Sequence, residues 1–524
     1  MAGSKNKLVY SSYSLYPNLL RLVFIIVIIS VSGSSHEVSN STAVIKYLPG
    51  FSGPLPFYFE TGYIGVDEKE DVQLFYYFVK SERNPMEDPV MLWLTGGPGC
   101  SAFSGLVYEI GDFSSCSVMD ACMLRVRSPS PCSRTHLCCP LKFDVVEYKG
   151  SLPTLVQNPY SWTKMIEMIH VDHSSPTTKM LRLRQSDSVA SIIFLDSPVG
   201  TGFSYSRSQH GWMTSDLKSA NQAYQFLKKW LIIHPEFTSN PIYISGDSYS
   251  GLPVPVIVQH ILDGNEAGHK PFINVKGNSK IPFVHGMGLI SEELYESLKK
   301  TCEGEYTNVS PSNTLCQRDL NSYYQYILGI NTVQVLEPAC YSIIAPANSE
   351  KITTYRRSMS EKHSKWPIQM DQDPQSPVLA CRSYGYLLSS YWINNDTVRE
   401  ALHIRNGTVD NWKRCNYGLQ FEPNLGSSFS YHVNLSKRGS RSLIYSGDHD
   451  MVVPHLGTQA WIRLLNYTIV DDWRSWWVDG EVAGYTRKYS NEMTFATGGG
   501  HTAPEYKPKE ALAMFKRWID SEPV

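Results

Sequence analysis

The stretch "IYISGDSYSGLPVPV" (residues 242–256) places Ser248 between a short apolar run and a helical pattern. The β-branched and aromatic residues at its start indicate a strand, and the small residues around Ser248 indicate a sharp turn. A nucleophile on a strand–turn–helix elbow needs small neighbours, because the backbone there is strained and crowded. The strict Gly-x-Ser-x-Gly pattern is not met, since Ser250 holds its last position. Taken alone, the stretch allows either a nucleophile or an ordinary polar loop.

Other apolar runs in the chain also end in glycine or small polar residues. Short apolar runs bounded by turn signals are typical of buried strands in a mostly parallel sheet. Helical patterns lie between these runs, and Ser215 or Asp216 is expected to cap one of the helices. Strands that alternate with helices predict an α/β fold. The other apolar runs lie at 90–99, 190–202, 442–450 and 493–501.

Two residues downstream could complete the chemistry of a serine nucleophile. Asp450 lies in the turn after one predicted strand, and His501 lies in a glycine-rich loop after another. The chain order serine, acid, histidine is that of α/β-hydrolases. In such a site Asp450 would hold the imidazole tautomer and His501 would deprotonate Ser248. Asp448 and His449 are rivals of Asp450, which we favour because it directly precedes an apolar run.

Backbone amides would stabilise the oxyanion of such a reaction. One donor is expected to be the amide of Tyr249, the residue after the nucleophile. The other could come from "TGGPG" (95–99), where Gly96 and Gly97 let the backbone approach a reacting carbonyl closely.

The composition argues against several other classes of protein. The chain has 524 residues, 42% of them apolar, and a formal net charge of −2. This balance gives no support for nucleic-acid binding or for a polybasic membrane surface. No Cys/His cluster with ligand spacing lies outside one cysteine-rich window, so we expect no metal or other cofactor.

The N-terminus has the three parts of a secretory signal peptide. Basic residues precede the apolar run 22–29, and small residues follow at 30–35. This run is too short for a hydrocarbon core that needs about 20 residues, so we expect a signal peptide at 1–35, cleaved near 32–36. The mature chain, 36–524, would then be extracellular or vacuolar without a membrane anchor. The glycosylation sequons that fit this route are Asn40, Asn308, Asn395, Asn406, Asn434 and Asn466.

Together these motifs resemble the serine carboxypeptidase-like family of plants. The resemblance rests on "WLTGGPGCS" (93–101), "LDSPVGTGFSYS" (195–206), "ISGDSYSG" (244–251), "YSGDHDMVVP" (445–454) and "GGGHTAP" (498–504), which occur in the family's order. It implies an α/β-hydrolase fold with a mostly parallel sheet and an inserted helical cap, expected at about 282–381. It also implies a catalytic triad and an oxyanion hole, with Ser248, Asp450 and His501 in the first and Gly97 and Tyr249 in the second.

The family combines two chemistries, and both pass through an acyl-enzyme on the serine. One releases C-terminal amino acids from peptides, and the other transfers an acyl group from a 1-O-glucose ester to an alcohol. The carboxypeptidases usually have Asn in place of Thr95 and Glu in place of Asp247, and these side chains bind the free carboxylate of the peptide. By this resemblance Thr95, Gly96 and Asp247 are expected to bind the substrate, and the differences at Thr95 and Asp247 make this chain resemble the acyltransferase branch. We therefore expect acyl transfer, with carboxypeptidase action as the alternative; the oligomeric state stays open.

Three departures from the family pattern affect this interpretation. Insertions at about 112–139 and 165–188 separate segments that the family joins directly, and about a dozen residues, with one sheet strand, are missing after Gly277. Long structureless insertions are uncommon inside a compact domain. Two further alternatives follow, a catalytically inactive relative and a product of aberrant splicing.

The cysteines divide between the first insertion and the rest of the chain. The six outside the insertion form an even number, which suits an oxidised protein. We expect a local pair, Cys302–Cys316, and a long-range pair, Cys100–Cys381, although the sequence leaves the connectivity open. The cysteines of the insertion are Cys116, Cys122, Cys132, Cys138 and Cys139.

Overall fold

The computed structural model describes most of the chain after the predicted signal peptide. The first insertion, Asn308 and Cys381 lie outside the described residues, and the second insertion does so except for the backbone of two short strands. The described residues are 40–109, 141–158, 161–163, 190–266, 280–303, 306, 309–337 and 382–524, with the backbone of 169–171 and 180–182.

The described residues form strands and helices in an alternating order. The strands are β1 Ser41–Ile45, β2 Phe59–Asp67, β3 Val72–Val79, β4 Val90–Leu94, β5 Leu141–Phe143, β6 Leu155–Gln157, β7 Ile169–Val171, β8 Met180–Arg182, β9 Ser191–Leu195, β10 Tyr205–Ser206, β11 Thr214–Ser215, β12 Ile242–Gly246, β13 Phe421–Glu422, β14 Ser442–Ser446, β15 Ile469–Val478, β16 Glu481–Tyr489 and β17 Met493–Thr497. The helices are α1 Asp216–Ile233, α2 Pro253–Glu266, α3 Lys280–Gly286, α4 Glu292–Cys302, α5 Thr314–Tyr326, α6 Ser383–Ile393, α7 Asp396–Ala401, α8 Phe429–Lys437, α9 His455–Leu464, α10 Ala503–Tyr506 and α11 Pro508–Ile519.

The larger sheet has the strand of the opening stretch, β12, at its edge. Its order is β1-β2-β3-β9-β4-β12, and β10 pairs with β3. The pairs β9–β4 and β4–β12 are parallel, whereas β1–β2, β2–β3 and β3–β9 are antiparallel. The α/β class is confirmed, but the sheet is mixed rather than mostly parallel. Only the residues 68–71 separate β2 from β3, and so short a connection makes neighbouring strands antiparallel.

The larger sheet is buried on both faces. Along β3, Phe75 and Tyr77 belong to one apolar cluster with side chains of α6. Tyr76 and Phe78 belong to a second cluster with side chains of α1. Alternate side chains of a strand point to opposite faces, so a strand between two helical layers is apolar along its whole length. This explains why β3, β4 and β9 are buried throughout. At the start of α1, the hydroxyl of Ser215 accepts a hydrogen bond from the Lys218 amide at 3.3 Å, which confirms Ser215 as the cap.

The predicted acid and histidine, Asp450 and His501, follow two strands of a second sheet. Its order is β14-β17-β16-β15, and β14 runs parallel to β17. No strand among the described residues pairs with the outer edge of β12 or of β14, and both are half-buried along most of their length, unlike β4. Within the described part of the chain, β12 and β14 are therefore edge strands of their sheets.

One helix contacts both of these sheet edges. The ring of Trp518, in α11, lies 5.5 Å from that of Tyr243 in β12. The backbone carbonyl of Trp518 accepts a hydrogen bond from Arg441, which precedes β14. This covering helix holds both strand ends near one another although no described strand joins them.

The segment predicted as a cap begins with α3, α4 and α5. These helices share a cluster of buried side chains that includes Leu298 and Leu320. The disulfide Cys302–Cys316 links α4 to α5, which confirms the local pair. The cap boundary near 381 stays a prediction, because residues 338–381 lie outside the described part of the chain.

The long-range disulfide joins Cys100 to Cys415, so the predicted pair Cys100–Cys381 is wrong. The two backbones pair at this point as an antiparallel bridge. The Ser101 amide donates to the Arg414 carbonyl at 2.7 Å, and the Asn416 amide donates to the Gly99 carbonyl at 2.8 Å. This pairing brings the two cysteines opposite each other across 315 residues of sequence.

Candidate active site

The turn after β12 forms the elbow that the sequence predicts. Ser248 begins a 3-10 turn, Ser248–Gly251, that leads into α2. Its φ is 51°, a left-handed conformation that is strained for a residue with a side chain. The residue is exposed, so the hydroxyl is presented at the end of the strand.

The structure brings Ser248, His501 and Asp450 into one hydrogen-bonded chain. Oγ of Ser248 lies 2.7 Å from Nε2 of His501, and Nδ1 of His501 lies 2.8 Å from Oδ2 of Asp450. The other oxygen of Asp450 accepts the amides of Val452 and Val453 at 2.7 and 3.1 Å. The rival acid Asp448 instead lies 3.8 Å from Nε2 of His449, and Nδ1 of His501 is bonded to Asp450.

The environment of His501 favours its protonated form. Burial by itself lowers the pKa of His501, but the hydrogen bond and the charge of Asp450 outweigh that effect. The charges of Asp247 and Glu505 act in the same direction as Asp450, and the net pKa lies above the ordinary value. A histidine in this setting can accept a proton from a serine hydroxyl and hold it while charge develops.

Glycines let the loop of His501 lie against the turn of Asp450. A Cβ at Gly447 would come 2.1 Å from the Gly500 carbonyl oxygen, so a side chain cannot fit there. Gly499 has a φ of 87°, in the region that favours glycine. The His449 amide donates to the Gly499 carbonyl at 3.0 Å and ties the two loops together.

The loop 95–99 packs directly on the serine elbow. A Cβ at Gly96 would lie 2.7 Å from Cβ of Ser248 and 3.1 Å from the amide nitrogen of Tyr249. The Gly96 amide donates to Oδ1 of Asp247 at 3.0 Å. Gly97, with a φ of 119°, continues this loop. The backbone segments that contain the expected oxyanion donors, Gly97 and Tyr249, are therefore adjacent.

A buried carboxyl pair, Asp247 and Glu109, lies beside Ser248. Burial raises the pKa of Asp247 to about 6, although the nearby His501 and the Gly96 amide oppose this effect. Burial and the charge of Asp247 raise the pKa of Glu109 well above its usual range. Within the described residues neither carboxyl group forms an ion pair with Lys or Arg.

Glu109 is a site residue that the sequence reasoning missed. Its Oε2 accepts hydrogen bonds from Nε1 of Trp93 at 3.0 Å and from the hydroxyl of Thr95 at 2.9 Å. It ends the π-helical turn Gly105–Glu109, in which every residue is buried. A single acid in an otherwise apolar run was the available signal, because a buried carboxyl group needs a specific reason to be there.

The described sequons differ in exposure. Asn434 lies half-buried in α8, and the other four are exposed. The side-chain oxygen of Asn395 caps α7 by accepting the Thr397 amide at 3.0 Å, which leaves its amide nitrogen free of that bond. The exposed sequons are Asn40, Asn395, Asn406 and Asn466.

A serine on a strand–turn–helix elbow, bonded to a histidine that an aspartate holds, defines a site of the α/β-hydrolase type. A model of the serine carboxypeptidase family matches residues 49–129 and 185–521, and the chain therefore belongs to the serine carboxypeptidase family. The interval between the two matched parts overlaps both predicted insertions.

Curated relatives match nearly the whole chain. It is 46% identical to serine carboxypeptidase-like 2 of Arabidopsis thaliana over 522 residues, which cover 97% of each chain. It is also 46% identical to serine carboxypeptidase-like 1 of the same plant. That alignment is 535 residues long and covers 99% of this chain and 100% of the relative. That length exceeds the 524 residues of this chain, as expected if the relative has residues that this chain lacks.

A solved structure confirms the fold. The crystal structure of Kex1Δp, a prohormone-processing carboxypeptidase of Saccharomyces cerevisiae, aligns with a TM-score of 0.60 and 18% identity. The alignment covers 91% of this chain and 95% of the yeast chain. At this identity the likeness concerns the α/β-hydrolase fold alone. No helix in the described part of the chain is both long enough and apolar enough to cross a bilayer.

Proposed function

We propose that the protein transfers an acyl group from a 1-O-glucose ester to an alcohol through an acyl-enzyme on Ser248. Oγ of Ser248 attacks the ester carbonyl while Nε2 of His501, 2.7 Å away, takes its proton. The amides of Gly97 and Tyr249 stabilise the oxyanion. Collapse of this intermediate releases glucose, whose departing oxygen takes the proton from His501.

The second half of the reaction reverses these roles. The acceptor alcohol gives its proton to His501 and attacks the acyl-enzyme carbonyl, and Ser248 leaves as the ester product forms. Asp450, bonded to Nδ1 of His501 at 2.8 Å, keeps Nε2 directed at the reacting oxygen in both halves. Water in place of the alcohol would give hydrolysis.

The observation that carries the choice of substrate is the buried carboxyl pair, Asp247 and Glu109. Neither has a Lys or Arg ion-pair partner in the described residues. A peptide carboxylate could bind there only against protonated carboxyl groups, because ionised ones would repel it in a desolvated pocket. A glucosyl group is neutral, and its hydroxyl groups can donate hydrogen bonds to carboxylate oxygens. The pair therefore favours a sugar ester over a free carboxylate.

Two local contacts support the same choice. The hydroxyl of Thr95 donates to Glu109 at 2.9 Å, and Thr95 lacks the paired donors of an amide side chain. One oxygen of Asp247 accepts the Gly96 amide at 3.0 Å. By resemblance, these two positions bind the peptide carboxylate in the family's carboxypeptidases, so both parts of that contact are changed here.

Carboxypeptidase action is the second candidate, and it has a distinct pH signature. A peptide carboxylate could bind only while Asp247 is protonated and able to donate a hydrogen bond. The pKa of Asp247 is raised to about 6, so peptide binding should weaken as the pH rises through that value. Transfer from a neutral glucose ester lacks this requirement and should continue above pH 6.

The test compares the two substrates on the secreted full-length chain. A hydroxycinnamoyl glucose ester with a panel of alcohols should give a new ester, and the Ser248→Ala variant should give none. A blocked dipeptide should release little amino acid. The double variant Thr95→Asn with Asp247→Glu should raise peptide cleavage relative to transfer. Release of amino acid by the native chain, without any ester product, would reject the transferase proposal.

Peptide mass spectrometry of the native protein tests the aberrant-splicing alternative. Peptides that span residues 111–140 and the junction 277–278 show whether the translated chain has these departures. The same digest reports cleavage near 32–36 and glycans at the sequons, which we propose for a protein of the secretory pathway. Ester formation by this chain would exclude an inactive relative, whereas a folded chain without activity on either substrate would support one.

A further inference from the structure

Glu505 is a buried acid that the proposed reaction does not use. It lies four residues after His501, in α10, and only 3% of its surface is exposed. Its Oε1 accepts the hydroxyl of Tyr386 at 2.5 Å, and its Oε2 accepts the hydroxyl of Thr502 at 2.7 Å. Both carboxylate oxygens are thus held by neutral donors.

The contacts of Glu505 join the His501 loop to the helix α6. Tyr386 belongs to α6, and Thr502 directly follows His501. Arg382, beside the start of α6, donates to the backbone carbonyl of Glu505 at 3.2 Å and pairs with Glu337 at 2.8 Å. These hydrogen bonds therefore connect the His501 loop to α6 through Thr502 and Glu505.

The nearby cations have other contacts. The guanidinium of Arg382 lies 4.6 Å from the ring centre of Tyr506, and that of Arg414 lies 4.2 Å from the ring centre of Tyr386. Among the described residues, no ion pair joins either guanidinium to the carboxylate of Glu505, although its charge raises the pKa of both arginines. A negative charge held by hydroxyl groups in a buried place acts strongly on its neighbours, because little water screens it.

We propose that Glu505 is a positioning residue that holds the His501 loop against α6 and sets the pH range in which His501 acts as a base. This inference rests on the proposed roles of Ser248 and His501 and is independent of the acyl donor. The charge of Glu505 favours protonated His501, in the same direction as Asp450 and Asp247.

Other groups face this pair and contribute to the same balance. Burial lowers the pKa values of Lys280 and His455, and the charge of Asp450 opposes this effect at both, together with that of Asp448 at His455. The groups that interact electrostatically with Glu505 are Tyr108, Glu109, Asp247, Arg382, Tyr386, Arg414, His501 and Tyr506.

A purely structural role is the competing explanation. Thr502 and Glu505 have the spacing of a capping box, and Thr502 is the residue before α10. A cap would contribute to stability without changing the protonation of His501. A pH profile separates these explanations, because removal of a helix cap has no systematic effect on the acidic limb of the reaction.

The experiment measures how fast Ser248 reacts with a fluorophosphonate probe as a function of pH. Oγ of Ser248 forms the bond to phosphorus, fluoride leaves, and the serine proton passes to His501. The reaction needs no acyl donor. Glu505→Gln removes the charge and keeps the shape, and Glu505→Ala provides the same test if the first variant does not fold. Tyr386→Phe removes a hydrogen bond and keeps the charge, and Glu481→Gln removes an exposed charge in β16.

The Glu505→Gln midpoint should move to lower pH, because protonated His501 loses a favourable charge. Its plateau should fall by far less than the roughly 10²-fold or more that loss of an acid–base group costs. Tyr386→Phe should lower the melting temperature and keep the native midpoint, and Glu481→Gln should change neither. An unchanged midpoint in folded Glu505→Gln would overturn the proposal. A native chain that never labels would overturn both proposals, whereas normal labelling without ester formation would refute only the acyl donor.

Discussion

Gly96 is the residue at which the packing of the active site can be tested most directly. In Gly96→Ala, the new Cβ would lie 2.7 Å from Cβ of Ser248, 2.9 Å from the Asp247 carbonyl oxygen and 3.1 Å from the Tyr249 amide nitrogen. Two of these atoms belong to the backbone of a strained turn, so they cannot move away as the end of a flexible side chain could. The loop 95–99 must therefore move away from the elbow by several tenths of an ångström.

This displacement should reduce catalysis more than it reduces stability. It weakens the Gly96–Asp247 hydrogen bond, now 3.0 Å, and shifts the Gly97 amide, which we propose as an oxyanion donor. Loss of one oxyanion donor costs about 10²–10³-fold in kcat, or about 3–4 kcal/mol. Overpacking in a well-packed region costs about 1–3 kcal/mol of folding free energy. We expect a folded variant with a lower melting temperature and at least a hundredfold loss of acylation rate.

The assay is the burst of p-nitrophenol from an activated ester, measured below the melting temperature of every variant. Gly426→Ala is the matched control, because a Cβ at Gly426 meets nothing within 4 Å and its φ is not left-handed. This control should keep the native burst rate and melting temperature. A Gly96→Ala variant with a burst rate within threefold of the native rate would show that the loop does not supply the oxyanion donor.

Further predictions concern the acid, a buried carboxyl group and the sheet edges. Asp450→Asn should lower kcat by about 10⁴-fold, since an amide favours the wrong imidazole tautomer; an activated ester measures this, and a loss below tenfold would contradict it. Burial raises the pKa of Asp196 to about 7, above its unfolded value, so its contribution to stability is present below about pH 4 and is lost as the pH rises to about 7. Urea unfolding should show this decline, and Asp196→Asn should flatten it; an equal slope in both proteins would argue against the assignment. Amide exchange in β12 and β14 should be faster than in β4 and β9, because one edge of each strand has no partner among the described residues. Equal protection in all four strands would mean that another segment pairs there.

Patterns within short segments predicted much of the fold. The predicted runs contain β4, β9, β12, β14 and β17, and the Ser215 cap begins α1 as expected. Such features depend on neighbours a few residues apart, through turn residues, caps and runs of apolar side chains. The mixed character of the sheet was missed because the apolar runs indicate buried strands without giving their direction.

The partners of Ser248 were also predictable, by chain order and by resemblance, and the structure brings Asp450 and His501 to it. Each of these residues follows a strand, Ser248 after β12 in the larger sheet and Asp450 and His501 after β14 and β17 in the second. The strand expected to be missing after Gly277 stays a prediction, because residues 267–279 lie outside the described part of the chain.

The tertiary structure alone decided the contacts between distant segments. Cys100 pairs with Cys415 because their backbones form a bridge across 315 residues, which no spacing rule contains. Glu109 joins the site because its turn packs under Trp93 and Thr95, and Glu505 joins it through Tyr386 of another helix. The sequence by itself determined which residues can form strands, caps and a serine elbow. Only the folded chain determines which buried charges share one pocket, because that depends on distances in space and on the exclusion of water.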